Sequence, residues 1–418
     1  MSLFITFCCI LSLPLVFYSL YFIVLGLAAF KKRQSLVGSY APQKSFAVLI
    51  AARNEEKVIF SLIDSLKRQA YPRELYDIFV IPNNCTDDTP RVAAQAGARI
   101  LEISMPVKTK GDVLKKAFAA LQNSGYDGYC IFDADNVVSP NFLRRMNDAL
   151  CAGYQAAQGK RDSKNLKGNW VSGCYTIYFG TINIFINRAR MNLGRSANIY
   201  GTGYMVSAKL LRETGFSVNT LTEDMEYTIL CVLKNRRIVF VEDAVIYDEQ
   251  PTKFFTSMRQ RKRWTAGSYM CVYSYFSKLF SAAFKRNNRC ALDVLLFALT
   301  PFYQVLLTVL SVVTSLASLV GIGANSAAAL LVAVASVAGG FFGQVLFSAL
   351  VLVLQGVKLK NNIAGIFMFP VFLLSWLPIN FYCLFKKDVV WEPIDHSYNV
   401  SIRELYDGGV YSPLDRAS

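Results

Sequence analysis

Two familiar phosphate-handling patterns are missing from this chain: it contains no GxGxxG and no GxxxxGK(S/T). A dinucleotide-binding turn and a P-loop are thereby excluded, and any phosphate it meets must be held another way. There is no CxxC pair either; the ten cysteines are scattered, several of them in apolar stretches, as suits reduced cytosolic thiols. Histidine is down to one residue, His396, for which a surface position is expected. Charged residues make up only 17% of the chain and are nearly absent from its apolar runs, so a transport pathway lined by such charges has little support. The net charge of +15 invites a nucleic-acid partner. Recognition-helix pattern, zinc spacing and aromatic RNA-binding strand are all absent, however, so no nucleic acid is expected; the basic residues suit anionic lipid headgroups and a diphosphate.

What the chain has in excess is apolar length. Hydrophobic residues make up 53% of its 418 positions and mean hydropathy is +0.32, high for a soluble protein of this size. Leu3 to Phe30 is long enough to cross a bilayer and stops at Lys31-Lys32-Arg33, which predicts an outside-to-inside anchor over residues 1–30. The absence of a basic residue before the run argues against a signal peptide. A mixed-composition domain follows over 31–253, then an amphipathic interfacial region over 254–288. Ala291 to Val320 and Ala327 to Gln355 predict a transmembrane hairpin within 289–357, turning at Gly321 to Asn325. Residues 358–387 hold Ile363 to Phe385, with Pro370 and Pro378 inside and basic residues at both flanks. A simple crossing would leave one basic flank outside, so an interfacial or re-entrant segment is preferred and the tail, 388–418, is expected to be cytosolic. The expectation is thus a multi-pass protein of the cell membrane with a cytosolic domain.

Within that domain, short apolar runs alternate with helix-like stretches, which predicts a layered α/β fold with a mostly parallel sheet. Strands are expected at Phe46–Ala51, Asp77–Ile81, Ala98–Ile103 and Gly128–Phe132, with helices at Glu55–Gln69 and Asp87–Ala96. Arg237 to Tyr247 predicts a hairpin-like β pair around Glu242-Asp243. In open sheets of this kind ligands bind beyond the carboxyl ends of the strands. The polar residues there are Arg53-Asn54-Glu55, Asn83 to Asp87 and Asp133-Ala134-Asp135.

Three clusters carry chemistry. Asp133 and Asp135, at i and i+2 on extended backbone, can point the same way, and such oxygens suit a hard divalent cation that neutralises a diphosphate. Alone, the pair would more simply end a strand. Asp224 begins an apolar helical stretch, where it is either a first-turn acid favoured by the helix dipole or a general base for a hydroxyl. Gln260-Arg261-Lys262-Arg263-Trp264 lies in an amphipathic run that suits a membrane interface. There Arg263 can stabilise charge on a departing diphosphate, Gln260 can fix a hydroxyl or phosphate, and Trp264 offers a flat face to a sugar ring.

In this order, the elements of residues 45–270 resemble the inverting family 2 glycosyltransferases of GT-A fold, above all the membrane-embedded synthases of cellulose, hyaluronan, chitin and poly-N-acetylglucosamine. The motifs that carry the resemblance are Asp133-Ala134-Asp135 for DxD, Thr222-Glu223-Asp224 for TED and Gln260 to Trp264 for QxxRW. The resemblance implies a GT-A domain and Mg2+ or Mn2+ held by Asp133 and Asp135. It makes Asp224 the base and places Glu55, Asn83, Lys110, Gln260 and Arg263 around the donor, with Glu223 and Trp264 at the acceptor. It also implies that Trp391, in Val390 to His396, closes over a bound nucleotide, although the usual Thr-Arg after the tryptophan is missing. Asn83 stands where relatives usually carry Asp to accept the uracil N3 hydrogen; an amide oxygen can accept the same bond without charge. The expected reaction moves a sugar from a UDP-sugar to a growing glycan, giving a β-linked polysaccharide, with a non-processive glycolipid synthase of the ceramide glucosyltransferase type as the alternative. About three clear crossings make a single-chain channel marginal, so a homo-oligomer or accessory export subunits would complete one.

Overall fold

The computed structural model describes residues 2–31, 38–104, 106–319, 326–386, 396 and 398–407. Eight strands form one sheet: β1 (Phe46–Ala52), β2 (Tyr76–Pro82), β3 (Arg99–Ile100), β4 (Gly128–Asp133), β5 (Val137–Val138), β6 (Ala156–Ser163), β7 (Tyr204–Ser207) and β8 (Ile238–Asp248). Their order is β3-β2-β1-β4-β7-β6-β8-β5. Strands β3, β2, β1 and β4 run parallel, β7 is antiparallel to both its neighbours, and β6 pairs parallel with β8. β1 reads Phe-Ala-Val-Leu-Ile-Ala-Ala and is buried almost throughout, as a central strand covered on both faces must be. The layers over it include α2 (Ile59–Lys67), α3 (Thr89–Gln95), α4 (Lys110–Leu121), α5 (Phe142–Cys151) and α8 (Ala208–Thr214).

The long apolar helices are α1 (Ser2–Ala28), α12 (Thr300–Leu319) and α13 (Ser326–Leu354), with α14 (Ile363–Leu374) and α15 (Trp376–Phe385) following. Thr6–Ala28, Thr300–Ala317, Val337–Leu354 and Ile363–Phe385 are each long and apolar enough to cross a membrane. Pro370 inside α14 cannot donate to the carbonyl of Ile366, and Ser348 of α13 supplies that bond at 3.3 Å.

Several expected boundaries shift. Residues 237–247 are not a hairpin: β8 is one strand whose ladder with β6 skips from Gly159–Val241 to Lys160–Val245. Glu242, Asp243 and Ala244 form the bulge, where Arg188 holds Glu242 in a buried-edge ion pair, so the acidic pair is accommodated without reversing the chain. The strand expected at 98–103 shrinks to two edge residues, and the helix expected from Glu55 begins at Ile59. Ala291–Val320 divides into α11 (Arg289–Ala298) and α12, with the break before Thr300-Pro301. α11 lies against α9 (Glu223–Leu233) and α10 (Phe254–Lys285) and does not extend the span.

One long helix has no counterpart among the expected elements. It runs as α6 (Trp170–Thr181), a π-helical stretch Ile182–Arg188 and α7 (Ala189–Asn192). Its residues are buried nearly all round, so no 3.6-residue apolar stripe marks it in the sequence. Asn169 caps its start by accepting from the Val171 and Ser172 amides at 2.9 and 3.2 Å. This helix is the floor between the sheet and the apolar helices: Asn362, before α14, donates to the Gly173 carbonyl at 3.0 Å where glycine leaves room for it.

Candidate active site

The carboxyl ends of β1, β2, β4 and β8 meet in one cleft. Asn54 and Asn84 each adopt a left-handed conformation there, with φ of 57° and 51°, and the Asn83 amide bonds the Ala52 carbonyl at 2.8 Å. These turns hold Glu55 and Asn83 at the same rim. At the end of β4 stand Asp133 and Asp135; at the end of β8 stands Asp248. Carboxylate oxygens of all three lie within 4.8 Å of one another. Asn136, fully buried, locks the arrangement: its Nδ2 donates to Asp248 Oδ1 at 2.8 Å, and its Oδ1 accepts from the Asp133 amide at 3.2 Å. Three converging carboxylates are a hard-oxygen donor set, so Mg2+ or Mn2+ fits this group by chemistry.

Cations balance these acids. Lys110 opens α4, whose capping box uses Thr109 and Asp112. Its Nζ pairs with Asp133 and donates to the Gly201 carbonyl at 2.7 Å. Gly111 lets α4 come this close, because a Cβ there would sit 2.8 Å from Val218 Cγ2. Arg161, on β6, pairs with Asp248 and donates to the Tyr200 carbonyl at 3.2 Å. Burial pushes Asp133 upward, but Lys110, Arg161 and Arg263 outweigh it and hold the carboxyl below the ordinary aspartate value. At Asp248 burial wins, aided by Asp135 and Asp133, and the carboxyl is pushed up to about 6 despite Arg161.

Glu223 and Asp224 occupy the first turn of α9. Burial raises both carboxyls; Glu223, beside Asp224, is pushed up to about 7. Asp224 Oδ1 accepts from the Met225 amide at 2.8 Å, and Gly201, at φ 76°, leaves the space beside Oδ2 open. α10 crosses over this turn at Gly267, where a Cβ would come 2.5 Å from the Thr222 side chain. That close approach brings Gln260, Arg263 and Trp264 to the cleft. Trp264 stacks on Tyr178 of α6 with centroids 6.3 Å apart, and Gln260 Oε1 is buried without a hydrogen-bond partner among the described residues.

A cavity of about 530 Å³ joins these parts. It is lined by Glu55, Asn83, Lys110, Asp133, Asp135, Glu223, Asp224, Gln260, Arg263 and Trp264, so the structure gathers every expected site residue that it describes. Trp391 lies outside the described residues. His396 does not sit on the open surface as expected: it lines the cavity, its Nδ1 3.0 Å from Glu55 Oε1 and its Nε2 4.0 Å from Asp135 Oδ2. The carboxylates draw it in, and against the effect of burial they push its pKa up to about 10. Asp248, Asn136, Arg161 and Tyr178 were not anticipated. Asp248 follows the apolar run of β8, so the strand-end rule that singled out Asp133 would have found it, had the run been taken as one strand.

A profile described as "Glycosyltransferase like family 2" matches residues 42–267, more than half of the chain, including the strand-end acids, Asp224 and Gln260 to Trp264. The chain belongs to that family. Among curated relatives of this family 2 glycosyltransferase, the beta-monoglucosyldiacylglycerol synthase of Nostoc sp. is 25% identical over 265 residues, covering 61% of this chain and 55% of the relative. The probable glycosyltransferase YdaM of Bacillus subtilis is 26% identical over 267 residues, covering 61% and 62%. The chain thus spans a little over half the length of the curated relatives it matches. Among solved structures, the mannosyltransferase PcManGT from Pyrobaculum calidifontis, in complex with GDP-Man and Mn2+, superposes with a TM-score of 0.60 at 14% identity, covering 91% of this chain and 99% of that one. That likeness identifies a shared fold, the GT-A arrangement of a mostly parallel sheet.

Proposed function

We propose that this family 2 glycosyltransferase moves a sugar from a nucleoside diphosphate sugar to the hydroxyl of a membrane lipid, with inversion at the anomeric carbon. One observation carries the reading: the cavity that holds the strand-end carboxylates also reaches Phe297 of α11 and Pro301, Leu373 and Trp376 on the apolar helices. A lipid can therefore keep its chains in the bilayer while its hydroxyl reaches Asp224. The diacylglycerol-named relative supports a glycolipid product over the polysaccharide expected first.

In the reaction Asp224 takes the proton of the attacking hydroxyl; its oxygen forms the new bond to the sugar's anomeric carbon as the bond from that carbon to the diphosphate oxygen breaks. Lys110 and Arg263 face the diphosphate as charge grows on it, and Gln260 offers its unpartnered carbonyl oxygen to a hydroxyl of the sugar. When bound by Asp133, Asp135 and Asp248, Mg2+ or Mn2+ supplies further positive charge for the leaving group. Asn83 reads the base, with UDP-sugars the favoured donors and GDP-sugars the comparison to run.

The same geometry bears on topology. Asn362 bonds the floor helix at one end of Ile363–Phe385, and beyond its other end His396 bonds Glu55 in the catalytic cleft. Both flanks therefore face the catalytic domain, which supports a re-entrant or interfacial segment, broken at Ser375, in a multi-pass protein whose catalytic domain is cytosolic. The decisive experiment incubates the purified protein with a panel of UDP- and GDP-sugars, Mg2+ or Mn2+, and diacylglycerol vesicles, then measures nucleotide release and product mass. A single-sugar glycolipid is expected; a polymer made without lipid overturns the reading.

A further inference from the structure

The far end of the cavity carries polar groups that sugar transfer leaves unused. Asn380, on α15, is 1% exposed and its Nδ2 donates to Gln304 Oε1 of α12 at 2.6 Å. Its Oδ1 accepts no hydrogen bond from any described residue, and both amides line the cavity. Each belongs to a segment apolar enough to span a membrane. A buried carbonyl oxygen among apolar side chains is costly to leave unpaired, and polar residues in such segments mark sites of function. The neighbouring lining residues Phe297, Pro301, Leu373 and Trp376 carry no charge, whereas the acids and cations gather at the strand ends. Trp376 ties this end to α10 through Nε1, which donates to Thr265 Oγ1 at 3.3 Å beside Trp264.

We propose that the space between α12 and α15 is the acceptor's route from the bilayer, and that the Gln304–Asn380 amide pair binds the uncharged head of a neutral, hydroxyl-bearing lipid. The proposal rests on the lipid-acceptor reading and goes beyond it by fixing where the lipid sits and which head group is taken. The free Asn380 oxygen accepts from the head's hydroxyl as the lipid enters, before that hydroxyl passes on to Asp224, and the apolar walls take the first part of the chains. A phosphate-bearing acceptor would meet no cation among the lining residues at this end.

The test uses the full-length protein in phosphatidylcholine vesicles holding a diacylglycerol with a photoactivatable diazirine in one acyl chain. Photolysis is expected to label peptides of α12 and α15; labelling confined to other helices overturns the proposal. In parallel, Asn380→Leu and Gln304→Leu should each raise the KM for diacylglycerol about tenfold, the loss expected for one hydrogen bond in an apolar site. The KM for the nucleotide sugar serves as comparator. An unchanged lipid KM, or equal rises in both KM values, overturns the assignment, as does faster transfer to polyprenyl phosphate than to diacylglycerol. If the wild-type protein glycosylates diacylglycerol while these variants keep its KM, this inference alone fails. If the wild type glycosylates no lipid, the acceptor reading fails with it.

Discussion

The two ends of the cavity are built by opposite means. At the proposed donor end, the ends of β4 and β8, strand β6 and the start of α4 crowd Asp133, Asp135, Asp248, Arg161 and Lys110 together, and the charges compensate one another. At the proposed acceptor end helices cross, the walls are apolar, and the polar lining groups include the paired amides of Gln304 and Asn380. Even the buried arginines differ. Arg161 has a carboxylate; Arg261 sits 4.1 Å over the Phe372 ring and donates to the Phe372 carbonyl at 3.0 Å and to Ser375 Oγ at 2.8 Å. It ties α10 to the break between α14 and α15. The difference teaches that strand ends can collect ions because pairing offsets their burial, whereas at the proposed acceptor end Phe297, Pro301, Leu373 and Trp376 give an uncharged lining and the Arg261 guanidinium is held by an aromatic ring, a carbonyl and a hydroxyl.

The largest effect that tests this division is loss of the proposed base. Asp224→Asn should lower kcat by about 10²–10⁴-fold with the fold intact by circular dichroism, and near-normal transfer would end the assignment. Chelation comes next: EDTA should abolish nucleotide release and Mg2+ or Mn2+ restore it. Asn136→Ala, which frees Asp248 from Asp133, should weaken the metal titration by about 10–100-fold, the usual effect of losing a partner that orients ligands.

The seam between the two ends is Gly267 on Thr222. Gly267→Leu should lower stability by about 1–3 kcal/mol through overpacking and reduce activity, because α10 must move away from the turn that carries Asp224. Thr222→Ala should recover part of the loss, and equal melting temperatures in the single and double variants would show that this contact does not set the helix position.

The smallest effect is a shift in pH. The base proposed at Asp224 must be ionised to work, and burial raises its carboxyl, so the rate should fall, as pH drops, at a higher pH than for an exposed aspartate. Glu223, pushed up to about 7 by burial beside the ionised Asp224, is already protonated where Asp224 takes up its proton, so Glu223→Gln should leave the acid limb of the kcat profile in place. A clear shift of that limb in either direction would break this order of ionisation.

Much of the donor end was legible because its signals are local. Asp133 and Asp135 follow an apolar strand by one and three residues, and Asp224 opens a helix, whereas Lys110 was marked only by the family resemblance. Asp248 was obscured because Glu242-Asp243 inside its strand resembles a turn, and only the parallel ladder with β6 shows that the chain continues. The floor helix was obscured because a helix buried on all sides carries no stripe. His396 looked like a solitary polar residue; its partner Glu55 is 341 positions away.

The sequence by itself determined the apolar segments, the alternation that makes a layered α/β domain, and three clusters whose chemistry points to sugar transfer, because composition and short spacing act within a few residues. Tertiary structure decided that Asp248 joins the DxD acids, that His396 enters the cleft, and that one cavity runs from the carboxylates to the apolar helices. The physical reason is distance along the chain: Asn136 and Asp248 are 112 residues apart, and Gln304 and Asn380 are 76 apart. Only packing and strand pairing bring such groups within a hydrogen bond of each other.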